Sequence, residues 1–305
     1  MKVAPLVFGG NVFGWTIDEP TSFKLLDAFV DAGFNLIDTA DVYSNWKPGN
    51  KGGESETIIG NWMKARRNRD KVIIATKVGY KMGWRKEGLS KRRVLKAVEA
   101  SLTRLRTDYI DLYQSHVDDA ATPLEKTLEG YAKLIAQGKV RVIGASNYTA
   151  ARLTEALDIS KKLGLPRYET LQPVYNLYDR EVFDGPLEKV CVENNIGVIN
   201  YFSLASGFLS GKYRGRDDLI KSARSYRVEK YLNERGFRIL EAVDKVSKET
   251  HTVHACVAIA WLLAHPSITA PIASATSLGQ LNDLIKGTRL VLSVEQVEEL
   301  RKAGE

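Results

Sequence analysis

The sequence predicts an α/β fold, a (β/α)8 TIM barrel in which residues 1–305 form a single domain. Three observations carry this reading. Eight short apolar runs are distributed along the 305 residues. The stretches between them repeat apolar residues at helical spacing. Several runs are apolar almost throughout, as parallel strands covered on both faces must be. Eight such strand and helix units in one chain of this length fit an α/β barrel. The alternative is a doubly wound sheet, which in its dinucleotide-binding form carries GxGxxG after a strand. Here "GGNVFGW" has the wrong spacing for that turn.

The first run is PLVFG from Pro5. The helix that follows places Phe23, Leu26, Phe29 and Val30 on one face and ends at Gly33. FNLID from Phe34 is the second strand and VIIATK from Val72 the third. After Ser90, a suitable N-cap, Val94, Leu95, Val98, Leu102 and Leu105 mark a helix. YIDLYQSH from Tyr109 is the fourth strand. Its helix opens at Pro123, buries Leu124, Leu128, Tyr131 and Ile135, and stops at Gly138. VRVIGAS from Val140 and TLQPV from Thr170 are the fifth and sixth strands, with helices over Ala150 to Leu163 and Pro186 to Asn194. IGVINYF from Ile196 is the seventh, followed by helices over Phe237 to Glu249 and His254 to Ala264. SITAPIA from Ser267 is the eighth, followed by Leu278 to Lys286 and a last helix from Ser293, where Gln296 completes a capping box. Two long loops, Tyr43 to Glu54 and Gly211 to Arg235, follow the second and seventh strands, on the face where barrels place their chemistry.

Composition narrows the function. The chain is 44% hydrophobic and 27% charged, as in ordinary soluble enzymes, with a formal charge of +7. The basic residues are scattered, as in "KARRNRDK" and "SKRR", without a basic face interleaved with aromatics, so no nucleic-acid partner is expected. The excess charge suits a polyanionic cofactor. Cys191 and Cys256 form no CxxC or zinc spacing and suit a reducing compartment. No run reaches the ~20 apolar residues of a membrane span, and the apolar stretch after Lys2 is too short for a signal peptide. A cytoplasmic enzyme without a membrane partner is expected. No metal is expected either. His251 and His254 lack a carboxylate pair, His265 before Pro266 reads as a surface residue, and no HxH stands near the first strand.

The strand ends carry a specific set of side chains. The second strand ends on Asp38, with Tyr43 five residues on; the third ends on Lys77 and the fourth on His116. The fifth ends on Ser146 and Asn147, the sixth carries Gln172 and the seventh Tyr201. An ammonium and a carboxylate at neighbouring strand ends can pair, so Asp38 is expected to be held by Lys77. A phenol beside that ammonium is expected to have a lowered pKa. Next to a neutral imidazole it could protonate a carbonyl oxygen as that oxygen becomes an alkoxide. No side chain supplies hydride, so a nicotinamide cofactor is required.

These residues and their flanking words resemble the aldo-keto reductase family over the whole chain: "GFNLIDTADVYS", "GGESETIIGNWM", "ATK", "DLYQSH", "VIGASNY" and "SLASGFLSGKY". The resemblance implies Tyr43 as general acid, tuned by Lys77 and Asp38, with His116 orienting the substrate carbonyl. It implies that Ser146, Asn147 and Gln172 hold the carboxamide, that Tyr201 stacks on the nicotinamide, and that Ser206, Leu209 and Lys212 clasp the pyrophosphate. Ser274, Thr276, Gln280 and Asp283 fall at the adenosine end. Ser274 and Gln280 stand where many members carry Lys and Arg, and Leu284 replaces a common Asn. The expected cofactor is therefore NADPH with NADH tolerated. Phe202 and Ser203 also replace a usual Ser-Pro. The expected substrate is a small carbonyl or alcohol compound, with Trp15, Trp46 and Trp84 as candidate pocket residues; the oligomeric state is left open. Two other readings stay open at this level: a Schiff-base aldolase using Lys77, and a non-catalytic, channel-associated binding subunit.

Overall fold

In the computed structural model, which describes residues 1–83, 87–221 and 225–305, parallel strands and helices alternate along the chain. The strands are β1 (Val7–Gly9), β2 (Leu36–Asp38), β3 (Ile73–Val78), β4 (Ile110–Ser115), β5 (Val140–Ser146), β6 (Thr170–Gln172), β7 (Gly197–Val198) and β8 (Ile272–Ala273). The first helices are α1 (Glu19–Asp31), α2 (Glu54–Arg66), α3 (Lys91–Leu105), α4 (Leu124–Ala136), α5 (Ala150–Leu163) and α6 (Pro186–Glu193). Two in succession, α7 (Glu234–Glu249) and α8 (His254–Ala264), separate β7 from β8, and α9 (Leu278–Gly287) and α10 (Val294–Ala303) close the chain. Local chemistry sets several boundaries. Asp18, Ser90, Thr149, Asn233 and Ser277 each cap the helix that follows. Ser293 and Gln296 form the expected capping box.

All strand pairs are parallel, in the order β7-β6-β5-β4-β3-β2-β1-β8. Beyond the ladders, Thr269 N–H donates to Val198 O at 2.8 Å and Ile272 N–H to Asn200 O at 2.8 Å. A single parallel bridge joins Val198 to Ile268. One sheet face packs on the helices. On the other, Val7, Leu36, Ala75 and Leu112 meet Ile199, Ala270 and Ile272 in a small separate cluster. Among the described residues no helix is long and apolar enough to cross a membrane.

The strands are shorter than the apolar runs suggest. The seventh run leaves the ladder after Val198, short of Phe202, which turns to φ 58°, and the eighth contains Pro271, which has no N–H to donate. Helix α2 shows no clean apolar stripe because its inner face buries Ser55 and Glu56. Gly60 lets α2 approach α3 closely, since a side chain there would lie 2.2 Å from Arg104 O. That approach lets Arg104 Nε donate to Glu56 at 2.6 Å, while Thr76 Oγ donates to the other oxygen at 2.6 Å. The strand carrying Lys77 is thereby tied to the helices behind it.

Candidate active site

In the β2–β3 register Asp38 lies opposite Ala75, two residues before Lys77. With period-two alternation, Lys77 therefore shares a face with Ala75 and can reach across to the end of β2. Its Nζ lies 2.6 Å from Asp38 Oδ2, and both side chains are at most 1% exposed. The ammonium also donates to Thr39 O at 2.8 Å and to the Tyr43 hydroxyl at 3.0 Å, so its three protons are all engaged. Tyr43 in turn donates to Asp38 Oδ2 at 3.3 Å. The other Asp38 oxygen accepts from Gln172 Nε2 at 2.9 Å and Gln114 Nε2 at 3.4 Å. The loop bearing Tyr43 is pinned by Ser44, whose φ is 73° and whose hydroxyl donates to Phe13 O at 2.6 Å.

The expected Asp38–Lys77 pair is present, but the expected lowering of the Tyr43 pKa is not. Burial, and then the adjacent Asp38 charge, push the phenol well above its ordinary 10.0. The carboxylate that shares the ammonium offsets its field, and desolvation penalises the phenolate. Tyr43 therefore keeps its proton at neutral pH. Burial draws Lys77 down from its ordinary value while Asp38 opposes that shift. Burial and the Lys77 charge hold His116 well below 6.5, so the imidazole is neutral. His116 Nδ1 is buried without a hydrogen-bond partner among the described residues, and its ring meets Tyr80 edge-on at 4.4 Å and Tyr43 at 5.9 Å.

The network faces a cleft of two adjoining lobes, about 710 and about 800 Å³. Asn11, Tyr43, Tyr201, Phe202, Ser206 and Arg227 line both. In the first lobe the Tyr201 hydroxyl donates to Asn147 Oδ1 at 2.8 Å, and Asn147 Nδ2 donates to His116 O at 2.9 Å. Ser146 Oγ donates to Gln172 O at 2.8 Å. The expected carboxamide group is thus one linked wall, with Asn147 held at φ 57°.

The second lobe is lined by Ser206, Lys212, Ser274, Thr276, Gln280 and Asp283. Ala205, Ser206 and Gly207 are successive left-handed residues, with φ 47°, 58° and 99°, and the turn they form is closed by Ala205 N–H to Phe202 O at 2.7 Å and Gly207 N–H to Leu204 O at 2.8 Å. Lys212 has no carboxylate partner among the described residues, and its cation lies 5.1 Å from the Tyr213 ring. An ammonium without a carboxylate partner, beside the hydroxyl-bearing Ser206 and Ser210 in the same lobe, fits a pyrophosphate.

Two members of the expected set sit differently. Leu209 is fully buried and its N–H bonds Leu204 O at 3.2 Å, so it supports the loop from beneath and lines neither lobe. The Ser274 hydroxyl lies 2.7 Å from both Gly9 O and Asn11 Oδ1, bracing β1. Gln280 Oε1 accepts from Thr276 N–H at 2.8 Å, which fixes this side chain across the turn.

Trp46 lines the first lobe and Trp15 the second, their rings perpendicular at 5.4 Å. Trp84 lies outside the described residues. His265 lies half-buried at the surface, packed edge-on to Tyr175 at 5.5 Å, with Nε2 3.7 Å from Glu188. Sequence reasoning missed Gln114, Tyr80 and Arg227. Gln114 stands two residues before His116 on one strand face and could have been found by alternation. Arg227 ends a single 3-10 turn, Ser225–Arg227, too short to leave a periodicity to read.

Comparison with known proteins places these features in context. The family model "Aldo/keto reductase family" matches residues 5–305. The chain is 34% identical over 303 residues to "Uncharacterized oxidoreductase YrpG" of Bacillus subtilis, covering 97% of this chain and 90% of that protein. It is also 34% identical to "Aldo-keto reductase YhdN" of Bacillus subtilis, covering 96% and 86%. It is 29% identical to "Probable voltage-gated potassium channel subunit beta" of Arabidopsis thaliana, covering 95% and 89%.

Proposed function

The chain belongs to the aldo/keto reductase family of oxidoreductases, and on that premise we propose that it reduces aldehydes or ketones to alcohols with NADPH, NADH serving less well. The observation that carries the proposal is the Tyr43 hydroxyl lining the cleft, hydrogen-bonded to Lys77 and Asp38 with the His116 ring beside it. A bound nicotinamide supplies the hydride that no side chain can. Tyr43 donates its proton to the carbonyl oxygen as negative charge develops there, and Lys77 stabilises the phenolate left behind. Asp38 fixes the ammonium against Tyr43, and His116 orients the carbonyl. Ser146, Asn147, Gln172 and Tyr201 would hold the nicotinamide end. Ser206 and Lys212 would hold the pyrophosphate, with Leu209 as the buried support of their loop. Thr276, Gln280 and Asp283 would meet the adenosine, with Ser274 bracing the turn.

The wider reading is one closed (β/α)8 barrel acting in the cytoplasm. The hydrogen bonds between the β7 and β8 regions and the cluster joining their residues to β1–β4 support closure. Two free buried cysteines suit a reducing compartment. A Schiff-base role for Lys77 is disfavoured, because its nitrogen is buried and fully engaged by three acceptors.

The test is carbonyl-dependent NADPH consumption over a panel of aldehydes and ketones, with the alcohol identified chromatographically. Tight NADPH binding with no turnover of any carbonyl would overturn the proposal. It would favour instead the non-catalytic, channel-associated reading, the Arabidopsis relative being named a probable voltage-gated potassium channel subunit beta.

A further inference from the structure

Unlike the second lobe, which Asp38 and Asp283 line, the first has no carboxylate among its described lining residues. It has three cations, Lys81, Arg227 and Lys230, of which Arg227 stands where the two lobes meet and lines both. Two of the three are answered nearby: Lys230 pairs with Asp179 at 2.8 Å, and Lys81 lies 4.0 Å from Glu87. Arg227 is not. This half-buried guanidinium donates Nε–H to the Tyr226 hydroxyl at 2.8 Å and lies 5.3 Å from the Tyr226 ring and 5.7 Å from the Phe202 ring. It has no carboxylate partner among the described residues. Phe202 packs edge-on to Tyr201 at 4.9 Å, and Tyr201 is bonded through Asn147 to the His116 backbone. One aromatic wall therefore runs from the imidazole to an uncompensated guanidinium, with Trp46 and Tyr80 across the same lobe.

An arginine flanked by aromatic rings and left without a counter-charge is suited to a carboxylate or similar anion, which its planar fork grips in bidentate fashion. The aromatic wall is suited to a flat body between that anion and the reacting carbonyl. We propose that Arg227 binds an anionic group on the substrate, so that the preferred substrates are planar aldehydes or ketones carrying a carboxylate remote from the carbonyl. This rests on the reductase reading above.

The test compares 4-carboxybenzaldehyde with methyl 4-formylbenzoate, which has the same core but no charge. Wild type is expected to favour the carboxylate in kcat/KM by at least about ten-fold, the scale of one charge-assisted pair. Arg227→Gln should bring the ratio close to one, and Arg227→Lys should restore part of it. Unfolding midpoints and NADPH dissociation constants of the same variants separate this result from misfolding or a cofactor effect. A wild-type ratio at or below one would overturn the inference. So would an Arg227→Gln variant that keeps the ratio while losing NADPH affinity, which would make Arg227 a cofactor residue.

Benzoate binding, followed by tryptophan fluorescence, keeps the two proposals apart. Arg227-dependent binding in a protein that reduces no carbonyl would preserve the anion site and sink the reductase reading. Reduction of the ester with no benzoate binding would do the reverse.

Discussion

Asp38 and Asp111 are both about 1% exposed and both paired with cations, yet they sit at opposite ends of the strands and behave differently. Asp111, near the start of β4, accepts from Arg69 at 2.7 Å, Arg141 at 2.8 Å and the Ile74 N–H at 2.9 Å. Both guanidiniums also stack on Tyr109, at 3.8 and 3.9 Å. Arginine stays charged in any protein environment, so this cluster is saturated and inert, a clasp for the N-terminal ends of β3, β4 and β5. Asp38, at the end of β2, is paired with a lysine, whose pKa does respond to burial, and shares it with a phenol that faces the cleft. Burial of an ion pair is common to both. Chemistry requires in addition a cation that can be tuned and a proton that can leave.

The largest expected effect breaks the reactive cluster. Lys77→Met leaves Asp38 buried without its cation, so stability should fall by roughly 3–5 kcal/mol. Turnover of the folded fraction should fall on the order of 10²–10⁴-fold. Steady-state rates and urea midpoints on one preparation measure both. Asp111→Ala should cost less, roughly 1–3 kcal/mol, because it leaves the buried Ile74 N–H unpaired while Arg141 is 56% exposed and Arg69 keeps its backbone acceptors; kcat per folded molecule should stay within about two-fold. A large loss of kcat there would erase the distinction between the two clusters.

A third carboxylate lies between these cases. Asp41 is raised to about 7 by burial and by Glu56, with Arg93 opposing, and its Oδ1 is buried without a partner among the described residues. Because its folded pKa lies above its ordinary 3.8, its favourable contribution is complete below the unfolded value and is lost as pH rises through about 7. Between pH 5 and 8 wild type should lose nearly 3 kcal/mol, on the order of two pH units at ~1.4 kcal/mol each, that Asp41→Asn does not. Unfolding midpoints at both pH values decide it. The smallest effect lies at the far end of the cleft. Gln280→Arg should add about 1 kcal/mol to NADPH binding, the difference between a neutral and a charge-assisted bond. NADH affinity should hardly change, as read from paired dissociation constants at fixed salt.

The same comparison explains what could be read from the sequence. Asp38, Tyr43, Lys77 and His116 were legible because strand ends in a parallel α/β fold converge, and their order along the chain fixes their neighbours. The Asp111 clasp was not, because nothing in "YIDLYQSH" says that Arg69 and Arg141 arrive from flanking segments. The direction of the Tyr43 shift was missed for a related reason. Sequence reveals which charges are near, but not how deeply an oxygen is desolvated. Strand length was overestimated at β7 and β8: after Val198 only an isolated Val174–Tyr201 bridge remains before the backbone departs at Phe202, and Pro271, with no N–H to donate, stands just ahead of the short β8. Arg227 ends a 3-10 turn too short to show a periodicity and became visible only beside Phe202 and Tyr226.

The central claim is that the Tyr43 proton is the one delivered to the carbonyl. Single-turnover consumption of NADPH with 4-nitrobenzaldehyde, compared between wild type and Tyr43→Phe with both proteins saturated in cofactor, tests it most directly. The account predicts a rate lower by roughly 10²–10⁴-fold with NADPH affinity little changed. A Tyr43→Phe protein that consumes NADPH at the wild-type rate would contradict it.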